Sequence, residues 1–193
     1  MGLFDALVGR RTVKGPASHE RLFALSTAYV TLQAEYGITC GGIAGIVFQP
    51  LATADFQAMI KDMEEVVKAT ASEMGATVES HDDDYGYRWL VVRDTQAAVE
   101  DLVVTINGVS TAVEDGGYGE RLLCAVFAFK DSDGKQINFI YNYKRGSWYP
   151  FVPAAGEQQR STERELQLKA QIGVELPIEP ELERWFPLWG LPF

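Results

Sequence analysis

Residues 122–152 read LLCAVFAFKDSDGKQINFIYNYKRGSWYPFV, two apolar runs around a four-residue turn, and the rest of the chain is organised about them. In the first run Leu123, Ala125, Phe127 and Phe129 fall on one face and Leu122, Cys124, Val126 and Ala128 on the other. Both faces are apolar, so the run predicts a central strand. In the second run Ile137, Phe139, Tyr141 and Tyr143 alternate with Gln136, Asn138 and Asn142, which predicts one face on a core and one nearer water. Asp131, Ser132, Asp133 and Gly134 are turn formers. The whole reads as one long β-hairpin, with residues 144–149 as a loop at its far end.

The chain has 193 residues, enough for one domain with extensions. A hydrophobic content of 47% argues against disorder, and no apolar run approaches the roughly 20 residues of a membrane span. The start, MGLFDALVGRR, puts its basic residues after its apolar ones, the reverse of a secretory signal, which predicts a cytoplasmic protein. Cys40 and Cys124 form no CxxC pair, and Cys124 sits where a small hydrophobe belongs. The net charge of −10 is concentrated: residues 55–120 hold 15 acids against four bases, a net of −11. Such a surface repels nucleic acid and anionic lipid; it serves as a solubilising face or as a dock for a basic partner.

Residues 1–17 predict an amphipathic arm and hinge. Leu3, Phe4, Leu7 and Val8 share one side, with Arg10, Arg11 and Lys14 beyond, which suits contact with a membrane or docking on the domain or on a partner. Residues 18–176 predict a single α+β domain. Ser18 opens a helix with Leu22, Leu25, Tyr29, Leu32 and Tyr36 inward, and Gly37 ends it. A Gly-rich strand follows at 41–48, a type of strand that often lets another backbone come close. Thr53 caps a helix with Phe56, Met59, Ile60, Met63 and Val67 on one face, a methionine stripe that predicts core filling ahead of a promiscuous binding groove. A hairpin about residues 81–86 comes next, then a helix capped by Asp94 or Thr95 with Val99, Leu102, Val103, Ile106 and Val113 inward. The order fits a mostly antiparallel sheet with helices packed on it, either ferredoxin-like or secretion-chaperone-like (YbjN-like). Ser161 or Thr162 with Glu165 marks a capping box for a last helix. Residues 177–193 form a Pro- and aromatic-rich tail that cannot be one helix and must pack on the domain or on a partner.

The chain lacks the usual hydrolytic, phosphoryl-transfer and redox motifs, and no cofactor or catalytic set is expected. The acids Asp82, Asp83 and Asp84 lack a second cluster beside them in sequence, so they read as a solvated turn and not as a metal site. The loop Lys144, Arg145, Trp148 and Tyr149 suits an anion or an acidic partner through charge-assisted hydrogen bonds and ring contacts. With Trp185, Phe186 and Trp189 of the tail it makes the candidate partner-binding set.

MGLFDALVGR, DYGYRWLVVR, STAVEDGGYGERLLCAVFAF, YNYKRGSWYPFVP and ELPIEPELERWFPLWG occur in one order across most of the chain, and by them the chain resembles the PspA-associated protein PspAB family of phage-shock-type envelope-stress systems. The resemblance implies a non-enzymatic accessory or adaptor of PspA, a coiled-coil protein that assembles on stressed membranes, with the arm placed at the membrane's inner face or on a partner. It brings no active site with it. Two other readings stand beside it: a small-molecule or metal-binding protein or enzyme with a cleft beside the sheet, and a secretion-chaperone-like module that holds client peptides.

Overall fold

The computed structural model describes residues 17–193. Among them run α1 (Ala17–Tyr36), β1 (Thr39–Phe48), α2 (Ala54–Glu73), β2 (Ala76–Asp82), β3 (Arg88–Asp94), α3 (Val99–Asp115), β4 (Leu122–Lys130), β5 (Gln136–Asn142), β6 (Ser147–Phe151) and α4 (Thr162–Ile172). The strands form one antiparallel sheet, β2-β3-β1-β4-β5-β6, and with the helices an α+β fold. From β1 to β2 the chain crosses over β3 through α2, and from β3 to β4 it crosses over β1 through α3. Each of these two crossovers thus joins, through a helix, strands that run parallel with an antiparallel strand between them. The arm residues Leu3, Phe4, Leu7, Val8, Arg10 and Arg11 lie outside the described residues.

The opening hairpin forms with Phe127 opposite Phe139. Its turn is tied by Asp131, whose carboxylate accepts the Asp133 and Lys135 N–H groups. β4 is central, and every residue from Leu122 to Phe129 is buried. Two expectations change here. The Asn138 and Asn142 side of β5 does not face water, because another part of the chain covers it. Residues 147–149, expected as loop, instead begin a further edge strand at 147–151; Pro150 is tolerated there because an edge residue can lack an N–H without breaking the ladder.

The helix starts are set differently from the expected caps. Thr53 and Ser161 stand at N-cap positions, but neither side chain makes a capping bond. Asp94 acts earlier, accepting the Gln96 and Ala98 N–H groups in the turn before α3. Glu165 does not complete a capping box. It is fully buried, accepts the Val152 N–H at 2.9 Å and pairs with Arg160 at 2.6 Å, which pins α4 to the end of β6.

The two faces of the sheet carry separate cores. On one, Leu25 and Leu32 of α1, Phe56 and Ile60 of α2, Val103 and Ile106 of α3 and Leu168 of α4 pack on Ile46, Leu90 and Phe127. On the other, Val47, Trp89, Val91, Val126, Ile140, Tyr149 and Phe151 are covered by Trp185 and Leu188, with Phe186, Trp189, Leu191 and Phe193 around them. The tail therefore lies across its own sheet. One glycine of β1 permits this crowding, since a Cβ on Gly45 would meet the Phe193 ring at 2.8 Å; Gly42 serves another approach, at φ +71° in a bulge where a Cβ would come within 2.5 Å of the Asp94 carbonyl.

Candidate functional site

The basic-aromatic loop and the tail, expected to meet a partner, meet each other. β6 alternates like any strand, so Trp148 enters the helix-side core while Tyr149 faces the tail; both are buried. The Trp148 indole N–H donates to the Arg21 carbonyl at 2.8 Å, and its ring lies 5.0 Å from Tyr141. The Tyr149 hydroxyl donates to the Phe186 carbonyl, and its ring stacks on Trp185. Trp185 is buried too and donates its indole N–H to the Glu179 carbonyl. Trp189 packs edge-on against Phe151 at 5.0 Å. Trp148, Tyr149 and Trp185 are therefore core, with no ring surface to offer another molecule in this fold. Phe186 and Trp189 are half-buried.

The acid that the loop recognises belongs to the same chain. The Arg145 guanidinium holds Glu179 at 2.6 Å, the Ser147 hydroxyl donates to the same carboxylate, and Glu181 stands 3.6 Å from Arg145. Glu179 is 2% exposed. Burial alone raises its carboxyl, but hydrogen bonds from Arg145, the Glu181 backbone and Ser147 outweigh it and leave the group below its ordinary range. The backbone joins in: Trp148 N–H donates to the Pro177 carbonyl and Glu179 N–H to the Trp148 carbonyl, so residues 177–179 shield the β6 edge. Lys144 is half-buried, and desolvation lowers its ammonium pKa.

The Asp82–Asp84 turn is likewise engaged. Arg88 clamps Asp82 with two bonds of 2.7 and 2.9 Å, and Asp83 accepts from the Tyr85 and Tyr87 N–H groups and the Trp89 indole. Cys124 is fully buried, and desolvation pushes its thiol up to about 12, which leaves it inert as a nucleophile.

Among the described residues a groove of about 670 Å³ stays open on the helix layer, between α2 and α3. Met59, Met63, Val66, Val67 and Met74 line one wall, and Val104, Thr105, Gly108 and Ala112 the other. Three of the chain's four methionines are here. Met63 belongs to the core as the stripe suggested, yet it also forms part of this wall. Val66 is 65% and Val104 49% exposed, one on each helix that flanks the trough. The floor is low because α3 places small residues there; a Cβ built on Gly108 would meet nothing within 4 Å. Among the described residues the one charged side chain in the lining is Asp62. By helix periodicity Glu73 continues its row on α2, and Asp101 and Asp115 flank the row on α3. Lys68 turns away to Glu64 at 3.4 Å. The result is an apolar trough with an acidic rim, able to hold an apolar stripe with basic flanks.

The family model PspAB, PspA associated protein B, matches residues 1–193. The chain belongs to that family. A search of curated proteins and one of solved structures returned no match. The family's name links this groove-bearing fold to PspA. Among the described residues no helix is long and apolar enough to cross a membrane. The sequence set a binding groove at the methionine stripe second to core filling because α2 and α3 each show an ordinary amphipathic pattern. The available signals were Val66 and Val104 on otherwise polar faces, and a glycine inside a helix, where it costs about 1 kcal/mol against alanine.

Proposed function

We propose that the protein is a non-enzymatic cytoplasmic accessory of a PspA-type envelope-stress response, acting as an adaptor that docks one helix of a PspA-like coiled-coil partner in the α2–α3 groove. The observation that carries this reading is the groove itself: apolar, exposed, methionine-lined and acid-rimmed, in a chain whose family is named for association with PspA. An amphipathic helix presenting apolar residues at i, i+3, i+4 and i+7 fills such a trough, and Lys or Arg beside that stripe meets Asp62 and its neighbours. Methionine side chains bend to fit the incoming surface, which favours a helix that is also engaged elsewhere in an assembly.

The loop and tail take a different part in this reading. Their charged and aromatic groups are spent on each other, so Arg145→Ala and Trp148→Ala act on the stability of the domain and not on first contact with a partner.

The test is Gly108→Leu. The added side chain enters open space on the groove floor, so the domain stays folded while the trough is blocked. Tagged protein recovered from its own cells, with and without membrane stress, is expected to bring a PspA-like coiled-coil protein with it, and the Gly108→Leu variant to lose at least ten-fold of that yield. Undiminished recovery with the variant would rule the groove out as the docking site. A secretion-chaperone-like holder of client peptides is the second reading that a methionine-lined trough favours; it is separated by challenging the protein with unrelated amphipathic peptides, which a selective adaptor rejects.

A further inference from the structure

The chain itself contains a segment with the chemistry the groove asks for. Leu3, Phe4, Leu7 and Val8 supply a short apolar stripe, and Arg10, Arg11 and Lys14 supply the basic flank. These residues lie outside the described part, and what bears on them is where the described part begins. Arg21, in the second turn of α1, donates to the Gly146 carbonyl and accepts from the Trp148 indole, which sets the start of α1 beside the β5–β6 turn. That turn follows Asn142, the partner of Cys124 at the beginning of β4. The same end of the sheet carries the end of β1, the start of α2 and the end of α3, hence the groove mouth formed by Met59 and Ala112.

Distance permits the visit. α1 packs beside α3, and α3 beside α2, so the trough lies about 15 Å sideways from α1 for helices packed 8–10 Å apart. Residues 9–16 span up to about 26 Å when extended.

We propose that residues 3–8 occupy the α2–α3 groove of their own chain, with Leu3, Phe4, Leu7 and Val8 against the methionines and Arg10 and Arg11, at the start of the connector, passing the acidic rim. The arm is then a built-in competitor of the docked helix. Tethering gives it an effective concentration in the millimolar range, enough to hold a weak site closed and low enough for a stronger ligand to displace it. Displacement exposes groove and arm together, so one event frees a partner site and an apolar-basic segment suited to a membrane surface. The competitive role rests on the docking reading above; the occupancy does not.

Met59, Met63 and Met74 are the natural reporters. The intact chain, labelled at its methionine methyls, is compared by NMR with the full-length double variant Leu3→Asp, Leu7→Asp. Occupancy in cis predicts that the three groove methyls shift together between the two proteins, that the difference is unchanged on roughly ten-fold dilution, and that it disappears when both also carry Gly108→Leu. A synthetic peptide of residues 1–16 added to the double variant at about millimolar concentration should return the methyls towards their positions in the intact chain. Superimposable groove methyls in the intact chain and the double variant would overturn the proposal. So would a difference that fades on dilution, since the arm would then sit in the groove of a second copy. No partner is needed, so a negative result leaves partner docking standing, whereas undiminished partner recovery by the Gly108→Leu variant ends docking and says nothing against the arm.

Discussion

The two faces of this sheet are closed by opposite means, and the less regular one is the better sealed. On one face four helices pack as cylinders, and two of them leave a trough exposing Val66 and Val104. On the other a tail with prolines at 177, 180, 187 and 192 runs across the strands and seats Trp185 and Leu188 almost completely. Helices satisfy their own backbone and are therefore held by side chains alone, which leaves gaps wherever the facing residues are small. The tail has no internal ladder, so its polar groups must be matched by the body. Trp148 meets Pro177 and Glu179, Arg160 donates to the Trp185 carbonyl, and Tyr149 donates to that of Phe186. An irregular segment held by so many specific bonds is a fitted cover; regular helices leave room for a visitor.

The hardest blow to this contrast is Trp185→Ala. It removes a buried ring and the bond to the Glu179 carbonyl. The expected loss is about 3–5 kcal/mol, which for a chain of this size lowers Tm by roughly 10 °C in a calorimetric scan. A loss below about 1 kcal/mol would mean that the tail is only laid on the sheet.

Arg145→Ala tests the polar half of the seal, with an expected cost of about 2–3 kcal/mol from leaving Glu179 buried without its cation. It also carries a pH signature. Glu179 titrates below its ordinary 4.5 in the folded protein, so its contribution is present above that value and disappears as pH falls through the lower, folded one. Urea titrations should show native stability falling over that acidic window, with a shallower fall in the Arg145→Ala protein. Identical slopes would put the acid sensitivity elsewhere.

The smallest effect lies on the open face and has the opposite sign. Gly108→Ala adds a methyl to empty space in the middle of α3, and is expected to stabilise by up to about 1 kcal/mol, a rise of roughly 2–4 °C in Tm. Destabilisation there would show that the trough floor is packed after all.

Much of the frame was legible in residues. The alternation of 122–129 marked a central strand, the inward positions of α1, α2 and α3 were found at helical spacing, and Gly37, Gly75 and Gly134 stand where elements end or turn. The polar alternation of β5 misled because it describes what a face is made of, not what covers it; Asn138 and Asn142 are buried on the side that the C-terminal tail closes. Arg145 and Glu179 carry a related lesson. A charge-assisted site was visible in one half, but its partner lay 34 positions away in a segment with no secondary-structure period.

The sequence by itself determined the elements, their inward faces, the α+β class, the acidity of residues 55–120 and the family to which the chain belongs. These are properties of neighbouring residues, set by periodicity, turn chemistry and composition. Only the tertiary structure decided which aromatic rings were free, which carboxylate Arg145 would hold, and where apolar surface would be left uncovered. Those depend on what two distant segments present to each other, and a trough between two helices exists only once both are packed on the same sheet.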